Sequence, residues 1–123
     1  YVVTRLMTAM NQRGKPLRGL RVLLIGLAYK PNSGDARESP SMVVAERLNS
    51  LGAEVRAADP HVDQEHPVPG TVRVELTRDE VEAADAVVLL TPHDDFDYDM
   101  VASRAQFVLD TRGRLRGPDV ERL

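Results

Sequence analysis

The sequence predicts an α/β domain of the Rossmann-like, doubly wound type, in which a parallel sheet lies between two layers of helices (αβα). Short apolar runs typical of buried strands alternate with helical segments roughly every 20 to 30 residues along the chain. Gly26 ends the first apolar run and allows the sharp turn that this fold needs after its first strand. The 123 residues, 42% of them hydrophobic, are enough for one such domain.

The first half of the chain predicts two helices and two strands. In chain order they are a helix over 1–13, a strand over 20–26, a helix over 40–51 and a strand over 54–58. Apolar residues recur at helical spacing in the first segment, and Gly14 ends it. Ser39 and Pro40 are a good N-cap and first position for the second helix, and Gly52 is a good residue to follow its end.

The second half repeats this alternation. Its elements are a short strand near 72–74, a helix over 77–84, a strand over 86–91, a helix over 97–104 and a strand over 106–110. Thr77 and Glu80 form a capping box at the start of the first of these helices. Residues 61–70 and the glycine-containing tail after Asp110 are predicted to be loops. With right-handed crossovers, all strands then end at one edge of the sheet.

The loop after Gly26 carries the strongest signal for ligand binding. Lys30, Asp35, Arg37 and Glu38 lie between this glycine and the start of the next helix. Anions bind at such strand-to-helix connections in open α/β sheets, and Lys and Arg are the side chains that bind phosphate. The alternative is a pair of solvated cations that are offset by the two carboxylates.

Two further residues follow strands and are candidates for the same site. Arg112 comes after the last predicted strand, where its cation could meet a phosphate or a base edge, or else pair with Asp110. Asp59 ends the second strand, where dinucleotide-binding folds often bind ribose hydroxyls. The sequence has no Gly-x-Gly-x-x-Gly, so an Asp-Pro turn is the favoured interpretation of Asp59.

The histidines do not predict a metal site. His93, Asp94 and Asp95 form a polar group in one predicted surface loop, without the spaced partners that metal ligands show. His61 and His66 lie in another polar loop and are predicted to be solvated.

Composition excludes several classes of function. A formal net charge of −3 and few aromatic residues argue against nucleic-acid binding. No apolar run is long enough to cross a bilayer, so we expect no membrane segment. The chain has no cysteine, which excludes disulfides and a Cys nucleophile within it. Because the first residue is Tyr, we expect the chain to be part of a longer protein.

Four segments together resemble the C-terminal domain of the nucleotide-sugar 6-dehydrogenases, which act on UDP-glucose, UDP-N-acetylhexosamines or GDP-mannose. In chain order the segments are GLAYKPNSGDARESPS, LGAEVRAADPHV, ADAVVLLTPHDDF and FVLDTRG. The resemblance spans roughly residues 1–115. It implies that residues 1–19 are a helix and connection from an upstream part, and that residues 20–123 are the nucleotide-binding domain.

The resemblance also implies roles for particular residues. Tyr29 and Lys30 would contact the UDP part of a nucleotide sugar, and Arg112 would help to hold the nucleotide. Arg37 would reach the NAD that is held by another domain. The family oxidises a sugar primary alcohol to a uronic acid for polysaccharide biosynthesis, using a Cys from its N-terminal part. This chain alone is therefore expected to be inactive, and its parent to be a cytoplasmic homodimer or larger homo-oligomer.

Two alternatives from other classes remain at this point. A receiver-like signalling domain would suit the length and the alternation, but it needs an acidic pair after the first strand, where this chain has Leu27 and Ala28. A free-standing α/β binding or interaction module is the other alternative, since the apolar face of the first helix could dock on another protein.

Overall fold

The computed structural model describes residues 1–27, 40–60, 70–94 and 96–123. Within these ranges the chain forms four helices and six strands. In chain order they are α1 Val2–Gln12, β1 Arg21–Ile25, α2 Pro40–Ser50, β2 Glu54–Ala58, β3 Thr71–Arg73, α3 Arg78–Ala83, β4 Ala86–Leu89, α4 Tyr98–Arg104, β5 Val108–Asp110 and β6 Val120–Arg122.

All six strands pair in parallel, in the order β3-β2-β1-β4-β5-β6. The order of strands reverses direction between β1 and β4, so the topological switch point lies between these two neighbours. Val22 of β1, for example, lies opposite Val55 of β2 on one side and Ala86 of β4 on the other. The predicted doubly wound α/β fold is confirmed.

Alternate residues of each strand face the two helical layers. In β1, Val22 and Leu24 belong to the apolar core under α1 and α2, whereas Leu23 and Ile25 belong to the core under α3 and α4. Each of these four side chains is at most 1% exposed. Both faces of the central strands are covered, which is why β1 and β4 appear in the sequence as continuous apolar runs.

The apolar face of α1 is used within this domain. Val3, Leu6, Ala9 and Met10 are at most 4% exposed and lie in the same core as the α2 side of the sheet. The expectation that this face could dock on another protein is therefore wrong, because the domain's own sheet already covers it.

Strand β6 was not expected, since the tail was predicted to be a loop. Val120–Arg122 adds to the edge of the sheet, with Val120 opposite Val108 of β5. The main-chain groups of β5 provide a template that any segment folded back on it can pair with. Such a short edge strand needs little apolar sequence, so the tail carries no strand pattern. The short strand expected near 72–74 is confirmed as β3.

Candidate functional site

Gly26 lies at the switch point, where β1 ends beside the segment that follows β4. Its φ is +94°, and its N–H donates to the carbonyl of Ala58 at 2.9 Å. A Cβ at this position would lie 2.6 Å from the backbone N and O and from the Cβ of Thr91. Both the left-handed backbone and this close approach require glycine. The turn was predicted from the sequence, whereas the close approach of Thr91 was not.

Three predicted ligand-binding residues lie outside the described residues. Tyr29, Lys30 and Arg37 belong to the stretch 28–39, as do the acidic residues expected to offset them. Of the described residues on either side of this stretch, Leu27 is fully buried and Pro40 is the first residue of α2.

Asp59 and His93 form a buried pair beside Gly26. The Nε2 of His93 lies 2.8 Å from the Oδ2 of Asp59, and the same oxygen accepts the N–H of Leu27 at 2.7 Å. Neither side chain is exposed. The prediction that His93 lies at the surface is wrong, because its side chain is fully buried. Asp59 and His93 follow β2 and β4, the two strands that flank β1, and this neighbourhood brings them together.

Tyr98 and Arg114 hold the loop between β4 and α4, and neither role was predicted from the sequence. The Tyr98 hydroxyl donates to the carbonyl of His93 at 2.5 Å. The Arg114 guanidinium lies over the Tyr98 ring, 4.7 Å from its centroid, and donates to the carbonyl of Pro92 at 3.4 Å. These contacts join the turn after β5 to the loop after β4.

Arg112 lies on a tight turn that is built around Asp110, the last residue of β5. The buried carboxylate of Asp110 accepts the backbone N–H groups of Arg112 at 2.8 Å, Gly113 at 2.9 Å and Leu115 at 2.7 Å. The side chain of Arg112 is exposed, and within the described ranges no carboxylate pairs with its guanidinium. Asp110 thus binds the backbone of Arg112 and not its guanidinium group.

Comparison with known proteins identifies the domain. Residues 23–117 match the model of the UDP-glucose/GDP-mannose dehydrogenase family, UDP binding domain. The chain belongs to this family. The matched range covers the switch point and all of the strand ends described above except that of β6. Family membership removes the receiver-like alternative.

The relatives are dehydrogenases of nucleotide sugars. A UDP-glucose 6-dehydrogenase of Bacillus subtilis is 42% identical over 86 residues, which are 68% of this chain and 19% of that protein. A solved NDP-N-acetyl-D-galactosaminuronic acid dehydrogenase of Methanosarcina mazei superposes with a TM-score of 0.79 at 25% identity, over 99% of this chain and 28% of that one. A UDP-glucose dehydrogenase of Pyrobaculum islandicum gives a TM-score of 0.76 at 27% identity, over 98% and 28%. The chain spans less than a third of these proteins.

The family consists of NAD-dependent dehydrogenases, but the described residues of this chain do not fit a dinucleotide site of the usual kind. Such a site uses a Gly-x-Gly-x-x-Gly turn for the pyrophosphate and an acid after the second strand for the ribose. The sequence lacks the glycine pattern. The acid in the second position, Asp59, is buried and already binds Leu27 and His93. It is not available to a ribose hydroxyl.

Two other classes of site can be assessed within the described ranges. There, no group of three or more His, Cys, Asp or Glu side chains is arranged to hold a metal ion. None of the helices in that part of the chain is both long and apolar enough to cross a membrane.

Proposed function

We propose that this domain binds the nucleotide part of a UDP- or GDP-sugar at the carboxyl edge of its sheet, for oxidation by an NAD-dependent 6-dehydrogenase. Tyr29, Lys30 and Arg112 would contact the diphosphate and the base. The observation that carries the proposal is the match to the family's UDP-binding domain over residues 23–117.

The positions of the cations support the proposal. In the sequence, Lys30 follows Leu27 by three residues, and Arg112 follows Asp110, the last residue of β5, by two. One strand, β4, separates β1 from β5, so the two ends are two interstrand spacings apart, roughly 10 Å. Side chains reaching inward from both ends could grip the two phosphates of one nucleoside diphosphate.

The remaining steps of the reaction fall to other parts of the protein. NAD would accept the hydrides as the sugar primary alcohol becomes a carboxylate. This chain has no cysteine, so a nucleophilic thiol would have to come from elsewhere. We propose that Arg37 contacts the NAD held by that other part. The 123-residue chain alone should form no NADH. We further propose that the parent is a cytoplasmic homodimer or larger homo-oligomer.

Calorimetric titration of this chain with UDP tests the site. Lys30→Ala removes one charge-assisted bond to phosphate and should weaken UDP binding by about ten-fold or more. Lys15→Ala is the matched control, because Lys15 pairs with Asp85 at the opposite edge of the sheet. It should change the Kd by less than about two-fold.

Kinetics of the full-length parent extend this test to the substrate and the cofactor. Lys30→Ala should raise the KM for the nucleotide sugar, whereas Arg37→Ala should raise the KM for NAD. If Lys30→Ala and Lys15→Ala leave the UDP affinity equally unchanged, Lys30 is a solvated loop charge and the proposed site is wrong.

A further inference from the structure

We propose that Asp59 and His93 act as positioning residues for the nucleotide-binding loop, residues 27–39. The inference rests on the proposed function, because it assigns to this buried pair the task of setting the direction in which that loop leaves the sheet. Neither side chain needs to touch the nucleotide for this role.

The first argument is that the carboxylate of Asp59 accepts a backbone N–H directly after β1. The backbone ladder of β1 continues through Gly26, which donates to Ala58. Leu27, the next residue, donates its N–H to the Oδ2 of Asp59 at 2.7 Å. The carboxylate therefore takes the place of a strand carbonyl for one further residue. Tyr29 and Lys30 follow two and three residues later in the sequence, so the position of Leu27 sets where the stretch that contains both begins.

The second argument is that His93 fixes the carboxylate. A carboxylate can only accept hydrogen bonds, so the imidazole Nε2 donates to Oδ2 across the 2.8 Å between them. The backbone of His93 is itself held, because its N–H donates to Thr91 at 3.1 Å and its carbonyl accepts the hydroxyl of Tyr98. Asp59 is thus held from the β4 side as well as from its own strand.

The third argument is physical cost. Both side chains are fully buried, and burying an ionisable pair stabilises a fold less than well-packed apolar residues of the same volume often would. What an apolar pair cannot do is bind a backbone N–H. The one oxygen that binds both partners joins the ends of β1, β2 and β4 around the switch point.

Asp85 offers a matched control on the same strand. Its Oδ2 accepts the N–H of Arg21, the first residue of β1, at 2.9 Å, so one carboxylate binds each end of this strand. The two variants Asp59→Ala and Asp85→Ala each remove one such anchor. We expect Asp59→Ala to weaken UDP binding to this chain by about ten-fold, and Asp85→Ala to change it by less than about two-fold.

Conservative variants separate positioning from packing. Asp59→Asn keeps an oxygen that can accept the N–H of Leu27, and His93→Gln keeps an amide that can donate to Asp59. Both should bind UDP within about three-fold of the wild-type affinity, whereas His93→Leu should fall between wild type and Asp59→Ala.

Amide NMR of the folded variants gives a second readout. The Leu27 N–H signal should move upfield in Asp59→Ala and shift in His93→Leu, because His93 acts through the carboxylate. In Asp85→Ala the signal of Arg21 should move instead, while that of Leu27 stays in place. These shifts report the hydrogen bond itself, not the overall stability of the chain.

The possible outcomes distinguish this inference from the proposed function. If the wild-type chain binds neither UDP nor GDP, the proposed function fails and the inference fails with it. If wild type binds UDP but Asp59→Ala binds equally well, or if Asp85→Ala is equally impaired, the inference alone is overturned. Should Asp59→Ala not fold, equal UDP affinity of wild type, His93→Gln and His93→Leu would overturn it.

Discussion

Towards the amino edge of the sheet, partly exposed charged side chains pair with one another, and one of them, Asp85, also binds the N–H of Arg21. At the carboxyl edge, the fully buried carboxylates of Asp59 and Asp110 bind the backbone N–H groups of the segments that follow β1 and β5. Arg56 of β2 binds both carboxylate oxygens of Glu80, at 2.8 and 2.7 Å, and Lys15 lies 3.2 Å from Asp85. These side chains are between 17% and 40% exposed. At the other edge, Asp110 is fully buried and its bonds go to the main chain.

The two edges therefore contribute differently to stability and to ligand binding. Partly exposed ion pairs can adjust their geometry and add modest stability, and they change the pKa values of their own carboxyl groups. The bonds from Arg56 lower the pKa of Glu80, and the N–H of Arg21, followed by Lys15, lowers the pKa of Asp85. At the carboxyl edge, a buried carboxylate bound to the main chain instead fixes the backbone where it leaves a strand. We therefore expect changes at the carboxyl edge to alter ligand binding, and changes at the amino edge to alter stability alone.

The largest effect is expected for Gly26→Ala. The new Cβ would lie 2.6 Å from backbone atoms of Thr91, at a φ of +94° that alanine rarely adopts. Backbone strain and the clash together should lower the free energy of unfolding by about 3 kcal/mol or more. Urea denaturation followed by circular dichroism measures this loss, and UDP binding should be lost with it.

Gly14→Ala is the control for Gly26→Ala. Gly14 has a φ of +75°, but no atom lies within 4 Å of the position that a Cβ would take there, so the strain is present without the clash. It should cost about 1 kcal/mol. Equal losses in the two variants would show that the switch point is no more tightly packed than an open turn.

The next effect in size is expected for Asp110→Asn. The amide group cannot accept the N–H of Leu115 while its oxygen binds Arg112 and Gly113, so at least one buried N–H loses its partner. The free energy of unfolding should fall by about 2 kcal/mol, and the Kd for UDP should rise by about three-fold or more as the turn loosens. Arg112→Ala should weaken UDP binding without this loss of stability. If Asp110→Asn is destabilised but binds UDP with wild-type affinity, the turn around Asp110 does not contribute to the nucleotide site.

The fold could be predicted from local patterns because each central strand is a continuous apolar run bounded by turn residues. Val22 to Ile25 shows this, with both faces buried. Strand β6 could not be predicted in this way, since Val120 gains its place by pairing with Val108, a non-local contact that leaves no local pattern.

The candidate site could be predicted at residues that follow strands, but not where two strands contribute to one contact. The place of Arg112 after β5 comes directly from the chain. The contact between Asp59 and His93 joins residues 34 positions apart, and it depends on β2 and β4 both being neighbours of β1. Since polar residues in a loop are usually solvated, His93 gave no signal of its burial.

The smallest effect is expected at the amino edge, for Glu80→Gln. This change removes the charge that pairs with Arg56 and Arg21. It should lower the free energy of unfolding by about 1 kcal/mol at pH 7 and leave the UDP affinity unchanged. Because the pKa of Glu80 is lowered by folding, its stabilisation is present above the ordinary carboxyl range and is lost as the pH falls through the lowered pKa. Thermal unfolding from pH 7 to pH 3 should therefore show that the greater stability of wild type over Glu80→Gln shrinks below about pH 5.

Asp79→Asn changes an exposed residue of the same helix and is the control. A constant difference between wild type and Glu80→Gln across this range, or a changed UDP affinity, would contradict the division of roles between the two edges.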